Sequence, residues 1–270
     1  MNLLDSQATR RSRWKPGALH FAASAVVGLG AAALVFVWWF PDGLAGLAGG
    51  QRLFWLITSV DVVLGPALTL VVANPTKPRR ELTRDIAIIA VIQVAALVYG
   101  LSVLAAARPV AIVWEIDQFR LVSQAALDAD SLRKAPAGLG ELSWFGPVYR
   151  NSTRPRDAAE QLRTIELALA GVPLAALPRH WAAESAARAG IEQASQPLDA
   201  ALRAEPGFAP EVASIARRAK VESQRLRGVP IHGRHGYWLA VVVPGGTRPV
   251  GFLAIDLDAV RVPSAPATRP

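Results

Sequence analysis

Cysteine is absent from the chain, which excludes disulfides, zinc-thiolate sites, thiol nucleophiles and iron–sulfur clusters. Histidine is scarce, with only His20, His180, His232 and His235. The pair His232-Gly-Arg-His235 has the spacing of a metal pair. No carboxylate or thiolate lies nearby to complete a site, and the segment reads as a solvated loop. Long blocks of like charge are also missing. The densest run in the C-terminal half is Arg217-Arg218 with Lys220 just beyond, so the net charge of +8 is spread out. A nucleic-acid surface would gather its cations on one stripe with aromatics between them, so nucleic acid is not an expected partner. The glycine-rich loop 41–52 lacks the preceding strand, the lysine and the Ser/Thr of a phosphate cradle, and reads as a flexible connection. Asp256 and Asp258 share one face of a strand, where a solvated strand end accounts for them better than acid–base chemistry. No nucleophile stands beside a base, and the residues nominate no catalytic group, cofactor or metal.

What the sequence does contain is apolar length, confined to its first 107 residues. Three runs, about 18–40, 53–73 and 86–107, are each long enough to cross a hydrocarbon core of about 30 Å at about 1.5 Å per residue. The basic N-terminus 1–17 carries Arg10, Arg11, Arg13 and Lys15, and loop 74–85 carries Lys77, Arg79, Arg80 and Arg84, whereas loop 41–52 has only Arg52. Lys and Arg are retained on the cytoplasmic side, so the N-terminus and loop 74–85 are expected inside. The first run is longer than a signal-peptide core and reads as an uncleaved anchor. Residues 108–270 then lie outside, in the periplasm of a Gram-negative cell.

The second run carries one carboxylate, Asp61, near its middle. A charge at that depth costs about 2.5–3.5 kcal/mol even on the lenient insertion scale, so Asp61 is expected to face protein or water, find a donor, or be protonated. Asp61, Gly65 and Thr69 fall on one helical face, which is the expected packing face, and Pro66 should bend the helix just past Gly65. Helical rise places Asp61 about 18 Å and Tyr99 about 20 Å from the cytoplasmic side, with Ser24 and Gln93 about 9–10 Å deep. Two polar layers are therefore expected: Tyr99 donating to Asp61, and Ser24 hydrogen-bonding Gln93 across helices. Small residues, Gly28 and Gly100 among them, would allow close approach. Asp61 either holds the bundle together or meets a further transmembrane helix.

Past Arg108-Pro109 the period changes. Residues 110–116 and 119–122 read as two strands joined at Asp117-Gln118, and 128–156 as irregular. Asp157 and Glu160 form a capping pattern before a helix with Leu162, Ile165 and Leu169 on one face. Ala-rich helices follow at about 181–195 and 210–227, then strands at 237–243 and 250–257, and a disordered tail over 263–270. The order ββ-ααα-ββ predicts an α+β domain over 108–262 whose terminal hairpins share one antiparallel sheet, behind a three-helix transmembrane bundle.

The string Val60-Asp61-Val62-Val63-Leu64-Gly65-Pro66 with Leu68-Thr69-Leu70, followed by a basic loop, Asp85, Gln93 and Tyr99-Gly100-Leu101, resembles the type IV pilin accessory protein family of the TfpX/TfpZ type. Trp14-Lys15, Arg108-Pro109, the stretch from Ser143-Trp144 to Gly146-Pro147 and Leu177-Pro178 extend the resemblance over most of the chain. The resemblance implies an inner-membrane protein that assists assembly or function of a particular type IV major pilin, with neither a cofactor nor a catalytic residue. A helper of this kind would offer small-residue grooves in the bilayer to the pilin helix, and a sheet edge or the Trp144–Phe145 loop to the pilin head. The alternatives are a membrane-anchored sensor or ligand-binding protein, and a membrane transferase modifying pilin or glycan.

Overall fold

The computed structural model describes residues 3–72 and 78–255, with the backbone alone at 3–17, Asp61 and Arg79. The expected tail over 263–270 and the Asp256–Asp258 pair lie outside the described residues. The chain falls into two compact units, one built from residues up to Trp38 with Gly50–Ala106, the other from Trp39–Gly49 with the residues from Ala107 onward.

The first unit is helical. Helix α1 (Leu3–Ala33) runs on through a π-helical stretch, Leu34–Trp39. Between it and the next long helix the chain forms the short α2 (Leu44–Ala48), which belongs to the second unit. Helix α3 (Gly50–Ser59) widens into a π turn at Val60–Leu64 before α4 (Gly65–Val72), and α5 spans Arg79–Ala107. The widening has a local cause in Pro66, which has no N–H to offer and whose ring crowds the carbonyl four residues back. Asp61 lies in that turn. Three helices are long and apolar enough to cross a membrane, Ala18–Trp39, Gly50–Val72 and Arg80–Ala107. Leu19, Val26, Leu29, Val71, Val91 and Val94 are all more than half exposed, as lipid-facing side chains are.

The second unit is a sheet with helices on both faces. In chain order it contains β1 (Pro109–Glu115), β2 (Gln118–Ser123), α6 (Ala129–Arg133), β3 (Val148–Ser152), α7 (Ala158–Leu169), β4 (Trp181–Ala183), α8 (Arg188–Ala194), β5 (Gln196–Pro197), α9 (Asp199–Ala204), α10 (Ala209–Ala219), β6 (Arg227–Gly233), β7 (Gly236–Val242) and β8 (Gly251–Leu253). The spatial order is β4-β3-β1-β2-β6-β7-β8, with β5 pairing β6. The two expected hairpins share this sheet, but it is mixed and not wholly antiparallel: β1 pairs β3 in parallel and β2 pairs β6 in parallel. Parallel neighbours need a long crossover, which the helical stretch between β2 and β6 supplies. Strands β3 and β4 occupy segments expected to be irregular and helical. The first turn also falls one residue early, with Glu115 opposite Gln118. Ile116 takes φ 64° there, and the Asp117 N–H donates to the Glu115 carbonyl at 2.8 Å, a γ-turn in its rarer positive-φ form.

One sheet face buries Ile112, Trp114, Phe119, Val229, Ile231, Ala240, Val242 and Phe252. It is covered by Ala187 and Ile191, and also by Leu44 and Leu47 of α2. The glycine-rich loop after the first span is therefore core, which corrects its reading as a flexible connection. Gly43 and Gly49 bracket α2 in left-handed conformation at φ 79° and 80°. Gly233 leaves room for Leu47, since a Cβ at Gly233 would collide with that side chain. The His235 N–H donates to the Leu47 carbonyl at 3.3 Å, so this segment is held by backbone as well as packing.

The opposite face carries two separate apolar clusters. Val110, Ala111, Val113, Val122, Leu127, Ala175, Ala176 and Trp181 form one, and Val212, Ile215, Leu226, Leu239, Val241 and Leu253 the other. Between them, on β2 and β6, sit Arg120 and His232 in register. Arg120 Nε donates to Glu115 Oε2 and its Nη1 donates to His232 Nδ1. Glu115 Oε1 accepts from the Ala175 N–H at 3.1 Å, and the His232 ring stacks on Tyr237 at 4.3 Å. His232 is therefore a strand residue tied into a polar network, which corrects the solvated-loop reading; His235 remains exposed in the turn beyond it.

Asp157 caps α7 by accepting from the Glu160 N–H at 2.9 Å. The helix turns Thr164 inward and leaves Leu162, Ile165 and Leu169 exposed at 59%, 57% and 85%. Beside it, buried His180 accepts from Arg179 Nε at 3.0 Å. Burial, then the Arg179 charge, hold its pKa below the ordinary 6.5, with Glu160 pulling the other way. A depressed folded pKa contributes stability that is present above the unfolded value and lost as pH falls through the folded one. The unfolding midpoint followed by circular dichroism should thus decline below about pH 6.5. His180→Gln should flatten that part of the profile, and an unchanged slope would remove His180 from the account.

Candidate functional site

Within the helical unit the polar residues of the spans converge. A cavity of about 150 Å³ is lined by His20, Ser24, Gly28, Thr58, Val62 and Gln93, among others. Ser24 and Gln93 both line it, with Gln93 Oε1 buried and no hydrogen bond from Ser24 to it. His20, near the start of the first span, lies 2.6 Å through Nδ1 from the hydroxyl of buried Thr69, which also donates to the Gly65 carbonyl at 2.9 Å. With the hydroxyl proton on Gly65, a protonated Nδ1 of His20 donates to Thr69. His20, Ser24 and Gly28 recur every four residues, a spacing that marks one face of α1. Gly65 and Pro66 are buried, and a Cβ at Gly65 would collide with the Gln93 amide. The Asp61 side chain, and with it the expected Tyr99–Asp61 pair, lies outside the described residues. Tyr99 itself is 73% exposed.

Gly100 is buried against α3, where a Cβ would stand 2.5 Å from Ile57 Cγ2. Ile57 is branched at Cβ and has little room to yield, so Gly100→Leu should separate the two helices at a cost of about 1–3 kcal/mol. Gly28→Ala would meet Thr58 at 3.5 Å and Val62 at 3.7 Å, which is ordinary contact, and should be neutral. Thermal unfolding of the detergent-solubilised protein checks both, and equal midpoints for the two variants would refute the close approach at Gly100.

The sheet unit presents a different feature, the Trp144–Phe145 loop. The two side chains are 66% and 68% exposed. The backbone beneath them is pinned. Ser143 Oγ accepts from the Phe145 N–H and donates to the Phe145 carbonyl, both at 2.9 Å, and Gly146 turns the chain at φ 71°. Buried Arg108 donates from Nη1 to the Trp144 carbonyl at 3.2 Å and from Nη2 to Gln124 Oε1 at 3.3 Å, with its guanidinium 4.3 Å from the Trp144 ring centroid. Burial lowers the Arg108 pKa from its ordinary value. Arginine stays charged in proteins, so the cation–π contact persists at physiological pH. Among the described residues, no group of three or more His, Cys, Asp or Glu could hold a metal ion.

The sheet unit thus carries a pair of exposed aromatics on a fixed backbone, and the chain carries three membrane-length helices. Comparison with known proteins gives this a family. A fimbrial assembly protein of Dichelobacter nodosus, serogroup E1, is 34% identical over 184 residues, covering 68% of this chain and 72% of the relative. The chain belongs to the FimB family of fimbrial assembly proteins. The family described as fimbrial assembly protein FimB matches residues 8–49, a stretch that includes the first span and α2. A serogroup I relative from the same organism is 33% identical with the same coverage. One from serogroups C1 and C2 is 37% identical over 121 residues, 45% of this chain and 92% of the relative. No solved structure matches. The FimB family is an accessory family of type IV pilus assembly, and the role of this membrane protein lies in that process.

Proposed function

We propose that this FimB-family chain is a non-enzymatic inner-membrane helper that engages a type IV major pilin at two places, the pilin's transmembrane helix and its globular head. The N-terminus is cytoplasmic and the sheet unit periplasmic, as the Lys/Arg bias of the loops requires. The burial of Leu44 and Leu47 in the sheet unit agrees with that arrangement. The ends of the first and third spans share a compartment in any three-span protein, so the 39–49 segment can reach the sheet.

The observation that carries the head contact is the pinned, exposed Trp144–Phe145 pair. A large aromatic whose backbone is already fixed loses little entropy on docking, and tryptophan is enriched among residues that dominate interface energies. The sheet edges are weaker candidates, since β4 and β8 have three residues each and offer little to an added strand. In the bilayer, exposed Ala23 and Ala90 line the open cleft that holds Ser24, Gly28 and Gln93. Small residues beside polar ones suit a close helix–helix contact.

The test is site-specific photocrosslinking from Ala23, Ala90 and Trp144 in cells producing the pilin encoded alongside. Pilin adducts from at least one span position and from Trp144 support two-site engagement. An abundant, folded protein giving no adduct at Trp144 overturns the head contact, and none at Ala23 or Ala90 overturns the membrane contact.

A further inference from the structure

We infer that the sheet unit holds a phosphate-binding cavity whose occupant is the headgroup of an anionic phospholipid. Between the two apolar clusters of the second sheet face lies a cavity of about 320 Å³, within the usual range for small-ligand sites. Its polar lining includes Arg120, Ser123, His232 and Arg234. Arg120 is held from behind: Nε is committed to Glu115 and Nη1 to His232 Nδ1, while no described residue accepts from Nη2. His232, whose Nδ1 takes that contact, also lines the cavity and fixes the guanidinium from one side. Arg234 adds a cation on exposed backbone, and Ser123 a hydroxyl. Glu115 neutralises one guanidinium and leaves the other unbalanced. Two arginines and a hydroxyl around one small space form a phosphate-binding set.

Two further observations favour a lipid as the source. Ala107, the last residue of the third membrane-length helix, is part of the cavity wall, and so is Ala48, two residues before the second such helix begins. The cavity wall is therefore continuous in the chain with two membrane-length helices. Gly171 and Pro173, also in the wall, directly follow α7, whose Leu162, Ile165 and Leu169 are exposed, as they would be beside acyl chains.

Native mass spectrometry of the full-length protein released from detergent tests this, with phosphatidylglycerol, phosphatidylcholine and inorganic phosphate as probes. The expected result is one retained phosphatidylglycerol, preferred at least tenfold over phosphatidylcholine, with retention falling at least fivefold in Arg234→Gln. Arg163→Gln, exposed on α7 and outside the cavity, should behave as the parent does. Equal losses in the two variants would reduce the effect to general surface charge and overturn the site. Binding of inorganic phosphate without phosphatidylglycerol would overturn the lipid as source, and binding of neither would overturn the cavity as a phosphate site.

Discussion

Leu47→Asp should abolish folding of the sheet unit while leaving the three membrane helices inserted. Leu47 is fully buried at 0% exposure in the main core cluster, together with Ile112, Phe119, Val229 and Ile231. Removing its side chain as Leu47→Ala should already cost about 2–5 kcal/mol. An unpaired carboxylate in the same place costs several kcal/mol more, against a typical domain stability of about 5–15 kcal/mol. Limited proteolysis of membranes carrying each variant reads the result as release of fragments from residues 108 onward. A second experiment separates packing from polarity: residues 107–262 expressed alone should be protease-sensitive, and a fusion restoring 39–49 at their N-terminus should regain resistance. A stable 107–262 fragment would show that α2 is an ornament on a finished core.

Replacing both Trp144 and Phe145 by serine should reduce pilin adducts from the periplasmic side by about 30-fold or more, the equivalent of about 2 kcal/mol lost at a dominant contact. Both side chains are exposed, so stability should fall only by the loss of the cation–π contact with Arg108, about 0.5–1 kcal/mol. Arg108→Met is the informative companion. It keeps the two aromatics but deletes the hydrogen bonds to the Trp144 carbonyl and Gln124 and the cation over the indole. An intermediate loss would show that rigidity of the loop contributes to docking, whereas parent-like adduct yield would assign all of it to the rings. Undiminished adducts in the double variant would remove this loop from the interface.

The spans were legible because a membrane demands some twenty apolar residues in a row, a pattern few other structures require. The disturbance at Pro66 and the cap at Asp157 were legible for a similar reason, since each follows from chemistry within four residues of itself. Segment 44–48 was not legible. Five residues are too few to show a period, and the glycines that shape it against Gly233 and His235 look like linker residues until their neighbours are known. The contact of His20 with Thr69 joins two spans about fifty residues apart, which no local pattern shows, although Ser24 and Gly28 at four-residue steps mark the His20 face. The stripe of Leu162, Ile165 and Leu169 gave the helix correctly but not the direction it faces. Periodicity shows that a helix has an apolar side without showing whether the protein itself covers it. Parallel pairing of β2 with β6 depends on residues about a hundred positions apart, beyond the reach of any local signal.

The spread of the main core along the chain also sets the order in which the molecule is made. Leu47 and Phe252 lie in one cluster although the ribosome produces them about two hundred residues apart. Two membrane-length helices and about two hundred residues of chain must be made before β8 arrives to close over the first loop. Contacts of such large sequence separation make folding slow, because the cost of loop closure comes before any reward from packing. During that interval Leu44 and Leu47 wait uncovered, so any chain stalled or truncated before residue 250 presents an open apolar slot to proteases and chaperones.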